Sequence, residues 1–174
     1  MMMRSIAFQP VCLSLSNYRT YLLGLAFVAG NLVLPQICHL VPDGGKMLLP
    51  IYFFTLIASY KFGIRVGLLT ALLSPICNHL LFGMPPLAAL PVLLIKSSLL
   101  AIIASQIAQY SKKISLVYLV ITVLAYQLTG GIAEYLIAGS IPPAMQDFTL
   151  GFPGMLIQVI GGWLILRILA SYEC

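Results

Sequence analysis

Leu87-Ala-Ala-Leu-Pro-Val-Leu-Leu-Ile-Lys96-Ser-Ser-Leu-Leu-Ala-Ile-Ile-Ala-Ser-Gln-Ile-Ala-Gln-Tyr110 is an apolar run that holds one charge and stops just before Lys112-Lys113. A run of this length reads as a transmembrane helix. A lysine kept in hydrocarbon costs several kcal/mol or more, so Lys96 is expected to face a polar interior and to mark a functional site. The whole composition agrees with the membrane reading. With 61% hydrophobic and 7% charged residues, the chain has too little polar surface to enclose itself in water.

Outward from this run, Gly, Pro and charges divide the 174 residues into six apolar stretches, 21–38, 47–60, 66–82, 87–110, 114–138 and 150–170. The breaks are His39 to Lys46, Lys61 to Arg65, Gly83-Met-Pro-Pro86, Lys112-Lys113 and Gly139 to Asp147, each a turn or charge signal. In lipid every backbone group needs an internal partner, so the stretches are expected to be helices. At about 20 residues per span, six spans nearly exhaust the chain. The expectation is therefore an all-α integral membrane protein: one six-transmembrane-helix bundle covering 1–174, with no soluble domain. Residues 1–17 carry Arg4 but no apolar core with a cleavage site, so the chain is expected to stay whole.

Charge sets the expected orientation. Arg4, Arg19, Lys61, Arg65, Lys112, Lys113 and Arg167 all fall on one side, while Lys46 falls on the other. The positive-inside bias makes the first side cytoplasmic, with both termini there and the protein multi-pass in the cell (inner) membrane. The net charge of +5 follows from this topology and calls for no nucleic-acid partner.

Lys96 lies roughly 13 Å below the outer start of its span, and Glu134 roughly 7 Å below the outer end of the fifth. A lysine reaches outward by several ångströms, so the two are within range of each other. Two readings stay open: an ion pair that only fixes helix register, or a contact with a polar ligand entering from outside. If Lys96 binds directly, a carboxylate-bearing ligand is its natural complement.

Helical spacing places further residues on this interior. Gly67, Ala71, Ser74 and Asn78 form one stripe, Gln127, Gly131, Glu134 and Ala138 a second, and Gly151, Gly154, Gln158 and Gly161 a third. Small residues in such stripes first of all let helices approach. The amides of Asn78, Gln127 and Gln158 need partners, and join Lys96 and Glu134 as candidate substrate-binding groups, with His39, Asp43 and His79 at the mouth.

Cys12, Cys38, Cys77 and Cys174 show no paired spacing. Cys38 with His39, and Cys77 with His79, offer a zinc or cobalt site as the sharp reading. Buried small hydrophobes are the plainer one, and no metal is expected. No Gly-x-x-x-x-Gly-Lys loop is present, so any ATP would be used by partner subunits. No cofactor is expected on this chain.

Gly45-Lys-Met-Leu-Leu-Pro50, Tyr60-Lys-Phe-Gly-Ile-Arg-Val-Gly-Leu-Leu-Thr-Ala-Leu-Leu-Ser-Pro75, Leu81-Phe-Gly-Met-Pro-Pro86 and Leu90-Pro91 resemble the substrate-binding S components of energy-coupling factor (ECF) vitamin transporters. The likeness is to the pantothenate/cobalamin-like group and covers about half of the chain. It implies a non-enzymatic bundle that captures a small vitamin at the outer face. Such a bundle then associates with a membrane coupling (T) subunit and ABC ATPases, and topples to deliver its cargo. On the same resemblance, Ala26, Ala29 and Gly30 match the small-residue contact with the coupling subunit, and loops 39–46 and 83–86 match lids. After Pro50 this chain has Ile-Tyr-Phe-Phe where many relatives have Met and His, and its His39 is internal, unlike the amino-terminal His of nickel and cobalt members. Two other classes compete. One is a small membrane hydrolase using Asp43 and Asp147 as an outer-face acid pair. The other is a structural membrane subunit, favoured by a fully packed centre.

Overall fold

The computed structural model describes residues 6–171; Arg4 and Cys174, used above for charge and cysteine arguments, lie outside the described residues. The chain forms α1 (Tyr18–Cys38), α2 (Gly44–Leu48), a single 3-10 turn (Pro50–Tyr52), α3 (Phe53–Phe82), α4 (Leu90–Ser111), α5 (Leu116–Ala138), α6 (Ile141–Thr149) and α7 (Phe152–Ser171). A short antiparallel pair, β1 (Ile6–Ala7) with β2 (Lys113–Ile114), completes it. This is an all-α membrane protein. Among the described residues, five helical stretches are long and apolar enough to cross a bilayer: 18–38, 44–82, 90–111, 116–138 and 152–171.

The second of these stretches is not one rod. Gly63 has φ 82° and ψ 179°, a conformation outside the helix that costs glycine little. The chain doubles back there. In a straight helix Ser59 and Gly67 would be roughly 12 Å apart, yet a Cβ placed on Gly67 would lie 2.9 Å from the Ser59 Cα. Thr55 and Ser74, about 28 Å apart on a straight helix, both accept from the Nδ2 of Asn31 at 3.0 Å. α3 is therefore a helical hairpin with arms on either side of Gly63. It packs against α1, α4 and α7.

Two differences from the sequence expectation matter for the site. The second apolar stretch (47–60) is broken by Leu49, which has φ 48°, and by Pro50, so its outer part becomes the separate helix α2. Residues 139–147, read above as a loop, contain most of α6. Ser140 precedes it in an extended conformation and Pro142-Pro143 sit in its first turn, where a missing N–H and a fixed φ suit a helix start. α6 folds back along α5, and its Ala144 carbonyl lies 3.3 Å from the Cβ position of Gly131.

The basic end of the bundle is tied by residues 6–17. Besides the β1–β2 pair, Phe8 donates its N–H to the Lys112 carbonyl (2.9 Å), and Val11 donates to that of Lys61 (2.9 Å). Arg65 reaches the Leu13 carbonyl (3.1 Å), and the Tyr60 hydroxyl donates to the Lys113 carbonyl (2.7 Å). Lys61, read above as a loop cation, is buried with its ammonium 4.7 Å from the Phe8 ring centre. Leu56, Tyr60, Leu100, Leu119 and Leu166 fill the interior. Leu22, Leu25, Val33, Leu128, Ile132, Ile160 and Leu164 are exposed, an apolar mantle that suits lipid and not water.

Candidate functional site

The polar side chains of the interior gather in two separate groups. The first is centred on Lys96, one turn and a half into α4 and 3% exposed. Its stem lies against Gly130 of α5, where a Cβ would come within 2.7 Å of the Lys96 Cγ. Glycine at 130 thus leaves the groove in which the lysine runs. The ammonium donates to Glu134 Oε2, one turn further along α5, and to Asp147 Oδ2 of α6 at 2.8 Å. Both carboxylates keep some solvent access, at 16% and 15% exposure. The sequence holds four acidic residues in all, and two of them converge on one lysine.

Below this triad lies an aromatic and amide layer. Tyr52 and Tyr126 stand 5.5 Å apart between ring centres, and both are close enough to Asp147 to feel its charge. The Tyr126 hydroxyl donates to Gln158 Oε1 (2.8 Å) and accepts from Gln127 Nε2 (3.1 Å). The remaining amide atoms, Gln127 Oε1 and Gln158 Nε2, are buried without a partner. An unpartnered buried polar atom costs about 1–3 kcal/mol, so a polar ligand reaching this layer gains; Asn78 Oδ1 and Ser97 Oγ, outside it, are likewise without a partner. Gln127 and Glu134 are seven residues apart and share one face of α5.

The second group joins α1 to both arms of the α3 hairpin. Asn31 holds Thr55 and Ser74 through Nδ2 and accepts from the Phe54 N–H (3.3 Å) through Oδ1. Asn78 donates to the Asn31 carbonyl (2.8 Å) and to that of Ser74 (3.0 Å). Of the sequence candidates, then, Lys96, Glu134, Gln127 and Gln158 come together on one side of the interior, and Asn78 belongs to the other group. Asn31, Thr55, Tyr52 and Tyr126 were not singled out from the sequence. Asn31 carried a signal, being a lone amide in the middle of an apolar span.

The mouth residues are spread out. His79 Nδ1 pairs with the Pro85 carbonyl at 2.8 Å, holding the 83–89 loop. His39 packs on Gly45, whose Cβ position lies 2.5 Å from the ring. Asp43 caps α2 with φ 55° and is exposed. No hydrogen bond joins Asp43 to Asp147 among the described residues, and Asp147 is engaged by Lys96. Cys38 is buried and Cys77 half-buried, both as free thiols. No group of three or more His, Cys, Asp or Glu side chains converges among the described residues. Ala26 and Ala29 lie exposed on α1, whereas Gly30 turns inward against the Phe54 ring, 2.9 Å from its Cβ position.

Two hollows flank the bundle. One, of about 370 Å³, is lined by Leu32, Val33, Gln36, Ile37, Leu40 and Phe82. The other, of about 420 Å³, is lined by Gln9, Pro10, Cys12, Gln109 and Lys112 at the basic end. Neither touches the Lys96 triad, which is covered by α6. α2 packs on α6 and on the start of α7, where Gly154 lets the Leu48 carbonyl come within 2.5 Å of its Cβ position.

The fold and site define a multi-pass, all-helical membrane protein with a buried ion cluster beneath a short surface helix. No protein-family model, no curated protein and no solved structure matches this chain.

Proposed function

We propose that the protein is the substrate-capture (S) subunit of an ECF-type importer in the cell membrane. It binds a small water-soluble vitamin or precursor from outside, and a coupling (T) subunit with ABC ATPases powers delivery. One observation carries the reading: Lys96, Glu134 and Asp147 are joined in a bundle whose other buried charge, among the described residues, is Lys61, and they lie above two buried amide atoms without partners. Charge kept at such a depth has its usual use in a substrate path. In this reading α6 and α2 are the outer covers, and they must part for a ligand to reach the layer of Tyr126, Gln127 and Gln158.

The bundle has six spans, the two arms of the α3 hairpin counting as the second and third, and both termini are cytoplasmic. Clustering of Lys61, Arg65, Lys112 and Lys113 at one end supports this orientation. The exposed pair Ala26 and Ala29 supports a flat contact surface on α1 for the coupling subunit. The sequence resemblance described above agrees with the reading, and no catalytic step is assigned to this chain.

The test is purification of the full chain followed by mass spectrometry of the small molecules it retains, with Lys96→Ala and Glu134→Ala in parallel. The parent retains a metabolite, and both variants change how much of it is retained. A parent that retains nothing, or variants that retain it equally, overturns the proposal. Loss of a co-purifying coupling subunit on Ala26→Leu tests the partner surface separately.

A further inference from the structure

We infer that the ligand of the Lys96 cluster is a small cationic or N–H-rich heterocycle rather than a carboxylate, an inference that rests on the capture reading above. Formal charges within the triad sum to 1 − 2 = −1, from Lys96 against Glu134 and Asp147. The lysine is therefore already compensated. It engages Oε2 of Glu134 and Oδ2 of Asp147, and the second oxygens, Oε1 and Oδ1, accept no hydrogen bond among the described residues. Both carboxylates are more accessible (16% and 15%) than the ammonium (3%). Within the triad, an incoming molecule meets carboxylate before ammonium.

An anion meets the wrong sign first, and must also expel one carboxylate from Lys96 to gain a partner. A cation or a cluster of N–H donors takes the free oxygens and leaves the lysine in place. Charge-assisted hydrogen bonds of this kind are about twice as strong as neutral ones. Beneath the triad, the Tyr52 and Tyr126 rings pack on each other, 5.5 Å between centres. Gln127 Oε1 and Gln158 Nε2 offer one free acceptor and one free donor, both fully buried, which match an N–H and a ring nitrogen. Charges on the neighbouring segment do not alter the balance, because Asp43, which precedes α2, and Lys46 within it are exposed and opposite in sign. A bare metal ion fits poorly. No three ligating side chains converge among the described residues, and an ammonium already holds the inner oxygens.

The experiment uses the full chain in lipid nanodiscs and native mass spectrometry. The co-purified metabolite is identified, and a stripped sample is titrated with two cationic probes, thiamine and pyridoxamine, and two anionic ones, pantothenate and biotin. The retained molecule carries a positive charge or a protonated ring nitrogen, and the probe panel ranks cations above anions. Glu134→Gln and Asp147→Asn, which keep size and a hydrogen-bonding oxygen, each weaken retention about 10- to 100-fold. Asp147→Asn lies on the surface helix and gives a second variant should Glu134→Gln fold poorly. An anionic metabolite, an anion-first ranking, or binding unchanged in both variants overturns the ligand class and leaves the capture reading standing. A protein that retains no metabolite and binds none of the probes overturns both.

Discussion

Replacing Lys96 with methionine keeps the stem in its groove against Gly130 and removes only the ammonium. Two carboxylates are then left facing each other. Two oxygens bound to one tetrahedral ammonium at ordinary hydrogen-bond lengths lie about 4–5 Å apart. At an effective dielectric of about 20, two unit charges at that distance repel by roughly 3–4 kcal/mol. Breaking a buried pair by removing one partner costs about 3–5 kcal/mol in general, because the remaining charge is uncompensated. The 16% and 15% exposure of the carboxylates lets water recover part of this, which places the expected loss near the lower end of the range. Lys96→Met should therefore destabilise the protein by about 3 kcal/mol at neutral pH, read as a shift in a reversible denaturant titration in mixed micelles. The triple variant Lys96→Met/Glu134→Gln/Asp147→Asn removes all three charges and should regain most of that loss, since neutral replacement of a whole buried cluster is often close to neutral. A single variant as stable as the parent, or a triple variant no better than the single, refutes the reasoning that the three groups act as one buried cluster.

Further perturbations address the scaffold. Gly67→Ala places a methyl 2.9 Å from the Ser59 Cα and closer still to its side chain, so the hairpin must open; a loss of about 1–3 kcal/mol is expected, partly restored by Ser59→Gly, and unchanged stability would show the arms are not packed this way. Asn31→Ala strips Thr55, Ser74 and the Phe54 N–H of a partner. At about 0.6 kcal/mol per interhelical bond, rising when groups are left unpaired, the same titration should record about 1–3 kcal/mol. Topology is read by single cysteines in a cysteine-free background. Lys46→Cys should react with an impermeant thiol reagent applied to whole cells, while Lys113→Cys should react only after permeabilisation, and the reverse pattern would invert the proposed orientation.

Much of the membrane architecture was legible because its physics is one-dimensional. Apolar length, backbone satisfaction and the placement of cations depend on residues close in sequence. Most helix ends fall within a few residues of the expected stretches, as in α1 (Tyr18–Cys38) and α5 (Leu116–Ala138). α6 was missed because nine residues with two prolines read as a turn, although prolines in a first turn are also a helix-start signal. The site was legible in part. Depth along two spans brought Lys96 and Glu134 within range of each other, which is the pair the fold forms. Asn78 looked equivalent to Gln127 by composition and depth, yet it faces α1 and Asn31.

By itself the sequence determined the solvent, the helices, the basic end and the presence of a charge that lipid alone would not tolerate. Tertiary structure decided what that charge meets. Asp147 is fifty-one positions from Lys96 in sequence and reaches it only because α6 folds back along α5. Thr55 and Ser74 share one amide only because Gly63 reverses the chain. Local patterns fix what each segment prefers, whereas the balance of a buried charge depends on neighbours brought together through space.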